Sequence, residues 1–244
     1  MAAESLYKVD TPAERWGAAV DRLLTMARPS ETRPELAVVQ GFTRRSAQRA
    51  EVLRARLGAR DVSAVEVGAD SDASVGAGRF CAVITDRGES AWAARRLAAR
   101  ENIPLLRLGM GSPGGDDEAE PVLLYTLTGV DADVSNDAAF ASVYVRPIGP
   151  GEPQARVVFD GTSIMIGHDV GVAITAGTRG EVAMAVTPAP VGAAGPKVGA
   201  EVEVRIERDS YAVSVDGSPL HEIHQGAMLG VRPGTVRLVD AQLD

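Results

Sequence analysis

Residues 80–98, FCAVITDRGESAWAARRLA, read as a buried strand, a tight turn and an amphipathic helix. That is where an α/β protein commonly grips a phosphate, with backbone N–H groups at a helix N-terminus pointing at the anion. Such turns are rich in glycine, because the backbone has to come close to the phosphate. This one sets Asp86, Arg87 and Glu89 around a single Gly88. Asp86, at the C-terminal end of a strand, is placed for a general base or a metal-binding carboxylate. It is equally well placed to cap the helix that follows, whose positive end favours acid.

Other chemistry-bearing residues are scattered along the chain. Asn136 and Asp137 offer groups for ribose hydroxyls, and both are also ordinary turn residues. In ITAGTRG, Thr175 and Thr178 present hydroxyls, and Arg179 could pair with a phosphate bidentately; the bland reading is a hairpin turn. GMGSPG (109–114) fits G-x-G-x-x-G literally, but acidic GDDEAEP follows instead of a helix, so it lacks the context of a dinucleotide loop. His221 and His224 sit beside a β hairpin, where odd spacing sends side chains to opposite faces. No metal site is expected from them. His168-Asp169 reads as a surface turn, and Ser163 in GTSIM lacks a nucleophile elbow.

The chain that must position these groups has 244 residues, 45% hydrophobic and 24% charged, ordinary globular material long enough for one large domain or two small ones. It has no apolar run of membrane-spanning length. Its start, MAAESLYKVDTPAERW, has no basic-then-apolar signal pattern, so a cytoplasmic protein is expected. The one cysteine, Cys81, lies in the apolar run FCAVI and reads as a buried thiol. A net charge of −8 argues against nucleic acid as the partner. The arginines of RRSAQRAEVLRARLGAR (44–60) recur at helical spacing and read as a solvated helix face.

Thr11-Pro12 with Glu14 marks a helix start, and the helix should run to about Met26 with Trp16, Val20, Leu23 and Leu24 on one face. Residues 28–34 read as a linker. Then ELAVVQGF is a strand, RRSAQRAEVLRARLGA a helix stopped by Gly58, and VSAVEVG a strand; FCAVITD, ESAWAARRLAAREN and IPLLRLG repeat the order. Short apolar strands alternating with helices predict βαβ units and a parallel sheet. Beyond GSPGGDDEAEP (111–121) the pattern turns to short β runs, with Asp160-Gly161 joining one pair of them and Asp216-Gly217 another. Asp-Gly suits tight hairpins because both turn residues take positive φ. The expected organisation is an N-terminal helix and linker (1–34), an α/β domain (35–120) and a β-rich domain (121–244).

The order and punctuation of these segments resemble the NAD kinase and diacylglycerol kinase superfamily. VSNDAAFASVYV (134–145) is similar to the family's Asn-Glu/Asp strand start. VVFDGTSIMIGHDVGVAITAGTRG (157–180) is similar to its hairpin, Asp-Gly, strand and Thr-rich turn. Residues 202–239, with their own DG hairpin and final VRLV, resemble its closing β segment. The resemblance implies an α/β domain with a parallel sheet followed by an all-β domain. It further implies a nucleotide or dinucleotide held in a cleft between them, with ATP, NAD(P) and magnesium as the ligands of the family. It also implies that the acidic pair, here Asn136 and Asp137, holds the dinucleotide's ribose.

The departures are as informative. The family's Gly-Gly-Asp-Gly-Thr turn is matched here by Asp86-Arg87-Gly88-Glu89-Ser90. Only Ser90 is a conservative match, and Gly88 stands where the family's aspartate does. Side chains at 86, 87 and 89 crowd a phosphate and two of them repel it. The glycine-rich helical stretch after the Thr-rich turn is missing, since TAGTRG leads almost directly to EVAMAVTP. The expectation is a nucleotide-binding relative with degenerate or altered phosphotransferase activity, a pseudoenzyme of kinase ancestry. Two alternatives are an active small-molecule or lipid kinase using Asp86, and a non-catalytic scaffold whose β domain makes it a homo-oligomer.

Overall fold

The computed structural model describes residues 12–27, 35–68, 80–85, 89–108, 118–130, 133–177, 180–188 and 195–241. The expected N-cap Thr11, the linker 28–34 and the GMGSPG segment lie outside them. The described elements of the first half are α1 (Pro12–Met26), β1 (Glu35–Gln40), α2 (Arg44–Gly58), β2 (Ala64–Gly68), β3 (Phe80–Thr85), α3 (Glu89–Glu101) and β4 (Leu105–Leu108). Those of the second half are β5 (Glu118–Val130), β6 (Asp133–Ala139), β7 (Ser142–Ile148), β8 (Gln154–Phe159), β9 (Thr162–Ile166), β10 (Gly171–Ala176), β11 (Val182–Thr187), β12 (Lys197–Gly199), β13 (Val202–Arg208), β14 (Ser210–Val215), β15 (Ser218–His224) and β16 (Met228–Ala241). The chain divides into two compact units, Met1–Ala119 with Arg237–Asp244, and Glu120–Val236.

The first unit is a parallel sheet in the order β2-β1-β3-β4, closed by residues 238–241 of β16 beside β4. Leu36, Val38, Ala82, Ile84, Leu106 and Leu108 form one core with Trp16, Val20 and Leu23 of α1 and Leu53 and Leu57 of α2. Alternate strand residues, Ala37, Val39, Val83 and Leu105, are just as deeply buried, and α3 packs on β3, β1 and β4. Burial on both faces explains why these strands read as unbroken apolar runs. The two crossovers, β1-α2-β2 and β3-α3-β4, run in opposite directions across the sheet. Crossovers of one hand therefore put α2 and α3 on opposite faces.

The α1 face is as expected, with Trp16, Val20 and Leu23 buried at helical spacing. The stop of α2 differs in detail. Gly58 is its last residue, and the positive φ falls three residues later on Asp61, at 61°. Aspartate tolerates that region, so the turn Ala59–Asp61 and not Gly58 reverses the chain. Cys81 is buried, and burial pushes its thiol pKa upward.

In the second unit, β5 pairs with β6 and β16, followed by β13, β8 and β9; the second sheet runs β12-β11-β10-β7-β14-β15. A core drawn from both sheets includes Tyr125, Val143, Val157, Ile174, Val204, Tyr211 and Leu229. The Tyr211 hydroxyl donates to the Ile166 carbonyl at 3.4 Å. Burial, reinforced by the Asp209 carboxylate, pushes that phenol up to about 12. Both Asp-Gly turns have the expected geometry, with φ of 45° and 73° at Asp160-Gly161 and 51° and 80° at Asp216-Gly217. The three-residue β12 lies outside the expected β runs, and Asn136 and Asp137, expected at a strand start, lie in the interior of a separate strand, β6.

Candidate functional site

The order β2-β1-β3-β4 reverses direction between β1 and β3. In an open parallel sheet, the crevice outside the C-terminal ends of the strands at such a reversal is where ligands bind, because the two chains leave it in opposite directions. Here Val39 of β1 lies in register with Thr85 of β3, so both strands end at the same level. From β1 the chain enters α2, and from β3 it enters α3, so two helix N-termini follow the mouth.

The β1–α2 junction is tied by its own hydroxyls. Thr43, with φ −88° and ψ 149°, caps α2 and accepts the Ser46 N–H at 3.2 Å. Ser46 Oγ in turn accepts the Gly41 N–H at 2.6 Å. The two bonds satisfy two backbone donors; the serine three residues after the cap reaches Gly41 and not, as in a capping box, the cap residue itself. Arg44 and Arg45 follow in the first turn, both exposed, with no acid there. Cations at the positive end of a helix are locally unfavourable, and together they make this side of the mouth positive. Phe42, beside them, is 73% exposed.

The β3–α3 junction is organised by a different pair. Thr85 ends β3 and Ser90 is the second residue of α3. They are the buried polar side chains of the described core, each 1% exposed. Thr85 Oγ1 donates to Ser90 Oγ at 3.0 Å. The serine that matches the threonine of the resemblance is thus engaged inside the protein, clamping the last residue of the strand to the first turn of the helix. The turn between them includes Asp86, which lies outside the described residues.

Asn136 and Asp137 are neighbours on β6, so strand alternation sends their side chains to opposite faces. Asn136 is exposed, and its Oδ1 accepts from Thr126 Oγ1, directly opposite on β5, at 2.7 Å. Asp137 is half-buried, pairs across from the buried Tyr125, and accepts the Ala138 N–H at 2.8 Å. Thr175 is exposed on β10, in register with Ala183 of β11 and Ser142 of β7. Thr178 and Arg179 lie outside the described residues. Among the described residues no group of three or more His, Cys, Asp and Glu side chains is placed to hold a metal ion. His224, exposed at the end of β15, faces Ser210 Oγ at 2.7 Å.

Reasoning from sequence reached Ser90 through the resemblance. It missed Thr85, Thr43, Ser46 and Phe42. Thr43 and Ser46 were findable, as a Thr-x-x-Ser ahead of an apolar-periodic helix. Thr85 looks in sequence like one more β-branched strand residue, and only the fold shows what its hydroxyl meets.

No family model and no curated protein matches the chain. Among solved structures it is similar to yeast NADH kinase complexed with NADH, at a TM-score of 0.55 and 12% identity, covering 86% of this chain and 84% of that one. An NAD kinase from Archaeoglobus fulgidus in complex with ATP gives a TM-score of 0.45 at 13% identity, covering 84% and 93%. No described helix is long and apolar enough to cross a membrane. At such identities the first likeness is one of fold.

Proposed function

We propose that this chain, which has the α/β-plus-β fold of the NAD kinases, binds a nucleotide or dinucleotide, with an ATP-dependent phosphotransferase activity that is degenerate or altered. The observation that carries the binding is the reversal of strand order between β1 and β3, with a helix N-terminus following each strand. The two sides of that mouth differ in charge. The β1–α2 side offers Arg44 and Arg45 to phosphate and the Phe42 ring to a base, since aromatic faces stack bases without regard to sequence. The β3–α3 side has Asp86 just after β3 in sequence and Glu89 as the first residue of α3, and carboxylates repel phosphate.

The same contrast supports the loss of chemistry. Phosphoryl transfer is almost wholly positioning and charge neutralisation around the transferred group. Here Gly88 stands where the resemblance puts the acting aspartate, and the Ser90 hydroxyl is bonded to Thr85. On this reading Asn136, Asp137, Thr175, Thr178 and Arg179 serve ligand recognition in the β-rich unit. Strand alternation gives Asn136 and Asp137 separate tasks there, one on each face of β6.

A thermal-shift panel tests the reading, using NAD, NADP, ATP and ADP with and without magnesium. A ligand that binds only the folded protein adds about 2.7 kcal/mol at a hundred times its dissociation constant, a readily measured shift. At least one nucleotide is expected to give it without magnesium. If all four leave the transition where it was, the proposal fails.

A further inference from the structure

Three consecutive backbone N–H groups, those of Phe140, Ala141 and Ser142, converge on one carboxylate. Phe140 donates to Asp216 Oδ1 and Oδ2 at 3.1 and 3.0 Å, Ala141 to Oδ1 at 2.6 Å, and Ser142 to Oδ1 at 3.0 Å. The Asp216 N–H returns a bond to the Ser142 carbonyl at 2.8 Å. Successive N–H groups pointing into one concavity make a nest, the backbone device that binds anions elsewhere. Here the anion belongs to the protein, reaching across 74 to 76 residues of sequence.

The position of this nest gives it a consequence. Residues 140 and 141 join β6, which carries Asn136 and Asp137, to β7. Ser142 begins β7 and lies in register with Thr175 of β10. Asp216 itself sits half-buried at the β14–β15 turn, with a positive φ of 51°, and β14 pairs with β7. One carboxylate therefore ties the strand bearing Asn136 and Asp137, the strand facing Thr175, and the hairpin that supplies it. Hydrogen bonds to a charged group are among the stronger ones in proteins, and a rigid second layer is what holds binding groups in a productive place.

We propose that Asp216 is a positioning residue: its carboxylate fills the 140–142 nest and thereby sets where Asn136, Asp137 and Thr175 stand for a ligand. The second half of that statement rests on the nucleotide-binding reading above, and the first half does not. The test uses the full chain with Asp216→Gly, which keeps the positive φ without strain, and Asp216→Asn, which keeps one oxygen acceptor. Amide exchange at Phe140, Ala141 and Ser142 and titration with ATP and NAD are the readouts.

In Asp216→Gly, exchange at the three amides is expected to rise about tenfold or more, a change that the loss of one charged acceptor readily produces. Affinity for the nucleotide that the wild type binds is expected to fall at least severalfold. Added formate, a small carboxylate, should restore part of both, and Asp216→Asn should lie between; if the glycine variant does not fold, the asparagine variant carries the same comparison. Unchanged exchange at the three amides overturns the nest. Faster exchange with unchanged nucleotide affinity overturns the positioning role. If the wild type binds neither ATP nor NAD, the nucleotide reading falls and the positioning role with it, while the exchange rates still decide whether Asp216 fills the nest.

Discussion

Leu36→Ala is expected to cost the α/β unit about 2–5 kcal/mol, the range for truncating a fully buried leucine, and to fall in the upper half of it. Leu36 has no exposure, and it lies on the central strand β1 between β2 and β3. Its register partners are Ala64 and Ala82, which are too small to fill the space it leaves. Since domains are stable by only about 5–15 kcal/mol, the loss is a large fraction of the whole. The measurement is convenient, because both tryptophans, Trp16 and Trp92, belong to this unit. Urea unfolding followed by tryptophan emission therefore reports on it, and a midpoint unchanged from wild type would contradict the packing described for β1.

Thr85→Val carries the second large effect. Valine keeps the shape of threonine and removes the hydroxyl that donates to Ser90 Oγ at a site 1% exposed. Taking one partner from a buried hydrogen bond costs about 1–3 kcal/mol, because the remaining polar group loses that partner without regaining water. Ser90→Ala should cost a similar amount. The double variant should cost less than the two singles together, since residues in direct contact are not additive. Additive losses would show that the two hydroxyls do not support one another.

Much of the α/β unit is legible in the sequence because its physics is local. Both faces of the sheet are buried, so β1, β3 and β4 are continuous apolar runs, and the helices between them show their period plainly. The two Asp-Gly hairpins are legible for the same reason: a positive φ at two successive residues leaves few residue types to choose from. The strand β6 was hidden because Asn and Asp are poor strand formers. Among the described residues it pairs with β5, and that tertiary neighbour overrides the local preference. The return of residues 238–241 to a place beside β4 has no local signature either, since VRLVDA would serve as well in a β domain as in a parallel sheet.

The candidate site divides in the same way. The expectation that the turn Asp86–Ser90 no longer suits phosphate comes from residue type alone. What the structure adds is the use made of particular side chains in each unit. Ser90 is turned inward to Thr85, Thr43 and Ser46 cap the opposite helix, and Asp216 reaches into a backbone nest. Each depends on a contact between groups whose pairing the sequence does not announce.

The most direct measurement is equilibrium dialysis of the protein against γ-labelled ATP in the presence of NAD and magnesium, with label counted both as retained nucleotide and as transferred phosphate. Saturable retention of the label, with transfer to NAD absent or far slower than binding, is the predicted result. Retention no greater than that of an inert protein would contradict the binding of ATP. Rapid appearance of label in NADP would contradict the loss of chemistry read from Asp86-Arg87-Gly88-Glu89-Ser90.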